Sequence, residues 1–74
     1  MSYLPLLSAK ELTNKLFKIG YHIDHQTGSH IILRNENYPF RRLTIPDHKE
    51  IAKGTLRAII RQACMSVEEF KRLV

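Results

Sequence analysis

Histidines, arginines and lysines are the residues of this sequence best suited to chemistry. An unperturbed imidazole has a pKa of about 6.5, so it can accept or release a proton at neutral pH. A guanidinium group matches two phosphate oxygens at once. An imidazole beside such cations could cleave RNA, because it could take the proton of a 2′-hydroxyl while the cations stabilise charge on the phosphate. The histidines are His22, His25, His30 and His48.

Two other chemistries fit the spacing less well. Four histidines are enough for a metal site, but His22 and His25 have opposite strand parity and are expected on opposite faces of a sheet. No CxxC or HExxH pattern is present, so we expect no metal and no other cofactor. Cys64 lies between Ala63 and Met65, and we expect it to be a small buried or half-buried residue rather than a nucleophile.

A capping box predicts where the first helix begins. Ser8 can accept from the backbone N–H of Glu11, and the Glu11 carboxylate can accept from the N–H of Ser8. Apolar residues recur at spacings of four and three from Leu12 onward. Gly20 tolerates a positive φ and supplies a stop. We expect a helix over residues 8–19.

The hydrophobic period changes to two after this helix, and three short runs alternate in the way of strands. Short links between them predict an antiparallel three-stranded meander. The runs are residues 21–25, 30–34 and 41–45, separated by turns at 26–28 and 35–37 and ended by Pro46, which cannot donate to a ladder.

Two further helices complete the predicted order. Gly54-Thr55 opens the second helix, whose apolar residues recur from Leu56 at helical spacing. A second capping box at Ser66 opens a short last helix. The sequence therefore predicts an α+β fold of order α-β-β-β-α, with two helices on one face of an antiparallel sheet and a short C-terminal helix.

Strand parity predicts which side chains lie on each face of that sheet. If Ile31, Leu33, Leu43 and Ile45 point at the helices, the intervening residues lie on the open face. An imidazole would then share a surface with two guanidinium groups. The predicted open-face residues are His30, Ile32, Arg34, Arg42 and Thr44.

Length and charge limit the possible functions. The chain has 74 residues, which is too few for a multidomain enzyme or a large cofactor fold. Lys and Arg number 12 against 7 Asp and Glu, and the resulting net charge of +5 favours a polyanionic partner. The single cysteine excludes an internal disulfide and fits a reducing cytoplasm. We expect neither a signal peptide nor a membrane span, because residues 1–7 lack a basic region and no long apolar run occurs.

Four short segments, in this order and at this spacing, resemble the HicA toxin family, also called YcfA-like. The resemblance extends over nearly the whole chain, from Ser8 to Leu73, so we expect residues 1–74 to form a single HicA-like domain. The segments are Gly28-Ser29-His30, Leu43-Thr44-Ile45-Pro46-Asp47-His48, Gly54-Thr55-Leu56-Arg57-Ala58-Ile59-Ile60-Arg61-Gln62-Ala63 and Ser66-Val67-Glu68-Glu69-Phe70.

This resemblance implies a fold and an activity. The fold would be that of a double-stranded-RNA-binding domain. The activity would be that of a metal-independent endoribonuclease, an mRNA interferase that inhibits translation as the toxin of a type II toxin–antitoxin system. His30 would be the catalytic residue, and Gly28 and Ser29 would form the turn that presents it. The partners would be mRNA and a HicB-like antitoxin that covers His30.

The remaining site residues are expected to hold RNA. His48 would either support the RNA surface or cap the second helix. The family often has glycine where this chain has Cys64, so we expect a costlier backbone at that position. The predicted RNA-binding residues are Ser29, Arg34, Arg42, His48, Lys53 and Arg57, with Arg61 as a further candidate.

Two alternatives use the same basic surface without catalysis. A non-catalytic RNA-binding module would contact phosphates and RNA shape. A protein-interaction domain would offer its open sheet face to an acidic partner. Steep salt dependence without cleavage products would indicate the first, and failure to retain RNA at moderate salt would indicate the second.

Overall fold

A computed structural model describes residues 4–73, which form three helices and three strands. The order confirms the predicted α-β-β-β-α arrangement with a short last helix. In chain order the elements are α1 (Ala9–Phe17), β1 (Tyr21–Thr27), β2 (His30–Asn35), β3 (Arg42–Pro46), α2 (Lys53–Gln62) and α3 (Val67–Lys71).

The strands form one antiparallel sheet in the order β1-β2-β3, with β2 in the centre. Leu33 of β2 and Leu43 and Ile45 of β3 are buried, and Ile31 packs against them, which puts the helices on one face and leaves the other face open, as strand parity predicts. Large buried side chains from the strands, the helices and the loop before α2 meet in one core: Leu12, Leu16, Tyr21, Leu33, Leu43, Ile45, Ile51, Leu56, Ile59, Ile60 and Phe70.

Helix α1 begins as predicted and ends two residues early. Ser8 Oγ accepts from the backbone N–H of Glu11 at 3.1 Å, and the Glu11 carboxylate accepts from the N–H of Ser8 at 2.9 Å. The chain then tightens toward Gly20, whose N–H donates to the carbonyl of Phe17 at 3.2 Å. Gly20 has φ +98, which a residue with a side chain rarely adopts. The helix therefore ends at Phe17 instead of residue 19.

The prediction of a buried Cys64 is wrong, and the prediction of a costly backbone is confirmed. Cys64 is exposed and has φ +58. Its N–H donates to the carbonyl of Arg61 at 2.9 Å, while the N–H of Met65 donates to that of Ile60 at 3.2 Å. These two bonds form the Schellman end of α2, in which glycine is preferred at the Cys64 position. The left-handed conformation turns the side chain away from the core.

The third strand also differs slightly from its prediction. It runs from Arg42 to Pro46 instead of residues 41–45. Pro46 is the last residue of an edge strand and lies opposite His30, the first residue of β2. A proline is tolerated at this position because it ends an edge strand, and the next cross-strand bond comes from the N–H of Asp47 to the carbonyl of Ser29.

Candidate functional site

The open face of the sheet, opposite the helices, carries three rows of side chains that cross the strands. Residues directly opposite each other on antiparallel strands share a face. We call the end of this face nearest the β1–β2 hairpin the turn end, and the other the arginine end. From the arginine end to the turn end the rows are His22, Arg34 and Arg42; then His25, Ile32 and Thr44; then Thr27, His30 and Pro46.

At the turn end, a two-residue hairpin presents His30. Gly28 has φ +53, the positive value that the first position of a type II′ hairpin turn requires. The carbonyl of Ser29 accepts from the N–H of Asp47 at 2.7 Å, which ties the hairpin to the loop after β3. His30 is exposed, and within residues 4–73 its ring makes no hydrogen bond or ion pair. The result is an accessible imidazole on a fixed backbone.

His48 lies in the loop that is tied to this hairpin, and it does not cap α2. The N-cap residue of α2 is Ala52, which makes no side-chain capping bond. The backbone carbonyl of His48 instead accepts from the N–H of Ala9, at the start of α1, at 2.9 Å. The capping alternative is therefore wrong, while the exposed side chain leaves the RNA-surface alternative as a prediction.

At the arginine end, two like charges face each other. Arg34 lies directly opposite Arg42, and such pairs have Cβ atoms about 5 Å apart and destabilise a sheet. Within the described residues, neither guanidinium is in ion-pair contact with a carboxylate. The Asp24 carboxylate offsets part of this repulsion, because the charges of Arg42 and Arg34 help to lower its pKa.

A β-bulge in β1 overturns the prediction that His22 and His25 point to opposite faces. His22 pairs with Arg34 and His25 pairs with Ile32, two positions of β2 that share the open face, while the register shifts between Ile23 and His25. The extra residue is Asp24. One inserted residue reverses the parity of everything after it. The alternation of residues along the strand does not predict this bulge, because no glycine or other local signal marks it.

Both β1 histidines contact acidic side chains. His22 Nε2 bonds to Glu36 Oε1, and the His22 ring stacks on Phe17 at the sheet edge with centroids 6.1 Å apart. The His25 Nδ1 atom lies 2.8 Å from Asp24 Oδ2. The His25 hydrogen bond, assisted by the charges of His25, Arg42 and Arg34, lowers the pKa of the Asp24 carboxyl. His30 differs from both, because no described residue of the chain is such a partner to it.

The structure brings some predicted site residues together and separates others. Ser29 and His30 are adjacent at the turn end, but Arg34 is four residues along β2, a distance of about 13 Å. The arginines and His30 therefore lie at opposite ends of the open face. Lys53 and Arg57 belong to α2, which packs on the opposite face of the sheet. They are exposed but do not lie on the open face.

Residues 4–73 contain neither a cluster of metal ligands nor a helix suited to crossing a membrane. No three His, Cys, Asp or Glu side chains in this part of the chain come together as ligands for a metal ion. The absence of a metal from the mechanism stays a prediction. In the same residues, no helix combines the length and hydropathy needed to cross a membrane.

Comparison with known families identifies the chain. Residues 9–65 match the model of a family described as the HicA toxin of bacterial toxin–antitoxin systems. That segment runs from the start of α1 to the end of α2 and includes the whole sheet. Among curated proteins, no significant match was found. Since the matched segment covers more than half of the sequence, this chain belongs to the HicA toxin family.

Proposed function

We propose that this chain is a metal-independent endoribonuclease that cleaves mRNA and inhibits translation, as the toxin of a type II toxin–antitoxin pair. The observation that carries the proposal is the exposed, unpartnered imidazole of His30, held on the open face by a hairpin turn. Membership of the HicA family supports the toxin role. The free imidazole supports the chemistry.

His30 acts as the general base at a ribose 2′-hydroxyl. The proton moves to the imidazole, the 2′-oxygen forms a bond to the adjacent phosphorus, and the bond from phosphorus to the 5′-oxygen breaks. The imidazolium then returns the proton to the departing 5′-oxygen. The products are a 2′,3′-cyclic phosphate and a 5′-hydroxyl end, and the histidine is regenerated without a metal.

The other residues hold the RNA in this geometry. Ser29 and His48 flank His30 and contact the backbone around the reacting bond, while Arg34 and Arg42 bind neighbouring phosphates. Lys53 and Arg57 lie in the helix layer, so they contact only RNA that continues past the edge of the sheet. Positioning of this kind reduces the entropy that the reaction must lose.

A HicB-like antitoxin would silence the toxin by covering the open face. The chain carries a net charge of +5, so an acidic partner would associate quickly and compete with RNA for the same cations. Because mRNA is the substrate, the toxin acts in the cytoplasm.

The test compares His30→Ala with His22→Ala, a matched histidine variant on the same sheet. His30→Ala should abolish RNA cleavage and growth arrest, whereas His22→Ala should retain both, and circular dichroism should confirm that both fold. Product ends should be 5′-hydroxyl and cyclic phosphate. A His30→Ala protein that remains toxic would contradict the proposal. Strong inhibition by EDTA would indicate a metal-dependent mechanism instead.

A non-catalytic RNA-binding domain is the second candidate, and the Arg34–Arg42 pair, which forms no ion pair within the described residues, favours it. This pair binds phosphates whether or not His30 transfers a proton. Salt-dependent RNA binding by a protein that generates no cleavage products would select this candidate.

A further inference from the structure

The loop between β2 and β3 exposes two aromatic rings beside the arginine end. Tyr38 is 86% exposed and Phe40 is 47% exposed. Their ring centroids lie 5.9 Å apart in an edge-to-face arrangement. Large apolar side chains on a loop tip contribute nothing to the core, so their presence here points to a ligand or partner.

Phe40 is held outward by a strained backbone. Its φ is +61, in the left-handed region, which is a genuine outlier for a bulky residue. The loop is fixed by the N–H of Phe40 on the carbonyl of Asn37 at 2.7 Å and the N–H of Asn35 on the carbonyl of Arg41 at 2.8 Å. Strain that the surrounding structure maintains is characteristic of functional positions.

The Phe40 ring also lines an open groove of about 420 Å³ at the arginine end. Arg34 lines the same groove, together with His22, Asp24 and Glu36. The two carboxylates each bond a neighbouring histidine, through His22 to Glu36 and His25 to Asp24. The groove therefore offers one cation, one aromatic ring and carboxylates that already have partners, and its size is that of a small-ligand pocket.

We propose that Phe40, with Tyr38 beside it, forms a stacking subsite for an unpaired RNA base, whose phosphate is held by Arg34 and Arg42. This rests on RNA being the substrate of the proposed function. Exposed aromatics next to guanidinium groups are the combination by which proteins bind single-stranded nucleic acid. Bases inside a duplex are stacked on each other and cannot reach the ring. The subsite thus selects single-stranded RNA.

The distance between the two ends of the open face defines what the subsite does. His30 is about 13 Å from Arg34 along β2, so the stacked base is separate from the reacting phosphate. A dinucleoside monophosphate has one phosphate, which must lie at His30 to be cleaved, so it cannot also reach Arg34 and Phe40. Phe40 therefore contributes to the binding of longer strands and not to the cleavage of this minimal substrate.

The experiment measures RNA binding by the His30→Ala protein, so that cleavage does not interfere. A fluorescently labelled single-stranded 12-nucleotide RNA and the same sequence in a blunt duplex serve as probes. Adding Phe40→Ala should weaken single-strand binding by about 5- to 100-fold and leave duplex binding unchanged. Phe40→Gly should weaken single-strand binding equally while relieving the φ strain, so unfolding cannot explain the loss. Leu6→Ala, at an exposed apolar residue outside the loop, should have no effect.

Two results would overturn the subsite. Unchanged single-strand binding in Phe40→Gly would assign the rings to a protein partner, and equal loss for single strand and duplex would exclude stacking of an unpaired base. In the cleavage-competent protein, Phe40→Gly should raise KM for the 12-nucleotide RNA and leave dinucleotide cleavage unchanged. A wild-type protein that cleaves no RNA but shows the Phe40-dependent binding would refute the nuclease and support the subsite.

Discussion

The two ends of the open face differ in their side chains and in their backbone features. The turn end has one exposed imidazole, which has no partner among residues 4–73, on a hairpin that is hydrogen-bonded to the loop after β3. The arginine end has two cations directly opposite each other, and a strained aromatic residue on the loop beside them. The arginine end gives up stability through the like-charge contact and the left-handed Phe40 backbone, whereas Gly28 suits the turn that it occupies.

This difference separates proton transfer from binding. A proton-transfer group must be accessible and free of strong partners, and His30 meets that requirement. A phosphate-binding group must be a permanent charge in a fixed place, as Arg34 and Arg42 are. Since about 13 Å lies between His30 and Arg34, changes at one end should leave the other end's property intact.

The largest expected difference between the two ends appears when the proton-transfer group alone is removed. His30→Gln should lower the rate of RNA cleavage by at least about 100-fold, because general acid–base catalysis contributes that much or more. The Kd for single-stranded RNA should stay within about twofold, since the phosphate contacts lie elsewhere. Single-turnover kinetics and fluorescence anisotropy measure the two quantities. A large loss of affinity with normal cleavage would mean that His30 binds RNA without catalysing.

Gly20 and Gly28 both have positive φ, and their replacement by alanine should cost different amounts of stability at the two ends. A Cβ on Gly20 would lie 2.5 Å from Asn37 Nδ2 and 2.8 Å from Asn35 Oδ1, in the loop of the arginine end. A Cβ on Gly28, at the turn end, would meet no atom within 4 Å. Gly20→Ala should therefore cost about 3 kcal/mol of unfolding free energy, and Gly28→Ala about 1 kcal/mol. Urea denaturation of both variants checks this, and equal costs would contradict it.

Removing the arginine pair should weaken RNA binding and increase stability. The double variant Arg34→Gln, Arg42→Gln should bind single-stranded RNA about tenfold more weakly, with a salt slope smaller by about 1.4 for two lost phosphate contacts. The like-charge repulsion between the strands disappears, so the protein should become more stable. Anisotropy titrations over a range of salt and thermal melts measure both. Unchanged salt dependence would show that these arginines do not contact phosphate.

The sequence predicts the order of the elements well, because their signals are local, although β1 continues to Thr27 where the residue pattern predicts a turn over 26–28. Two capping boxes place α1 and α3, and simple alternation puts His30, Arg34 and Arg42 on one face. The β1 side of the site is different, since the bulge at Asp24 is set by pairing with β2 and not by its own residues. The exposure of Cys64 likewise follows from the Schellman end of α2. Its apolar neighbours in the sequence, Ala63 and Met65, instead suggest burial.

The acidic residue at the bulge provides the smallest test. Asp24 opposes RNA binding through its charge, so Asp24→Asn should tighten binding at pH 7 by about threefold. The hydrogen bond from His25 and nearby positive charge hold the pKa of Asp24 below its usual range. The wild-type carboxylate therefore remains charged until the pH falls through that lowered value. Below it, the wild type and Asp24→Asn should bind RNA equally well.

Protonation of Asp24 should also change the stability of the protein. It should lower stability, whereas it should strengthen RNA binding. A folded-state pKa below the unfolded value stabilises the native protein above the unfolded pKa, and this contribution is lost as the pH falls through the folded pKa. Asp24→Asn should thus melt at a lower temperature than the wild type at neutral pH and at the same temperature in strong acid. A difference in melting temperature that persists in acid would assign the effect to packing at the bulge rather than to the Asp24–His25 pair.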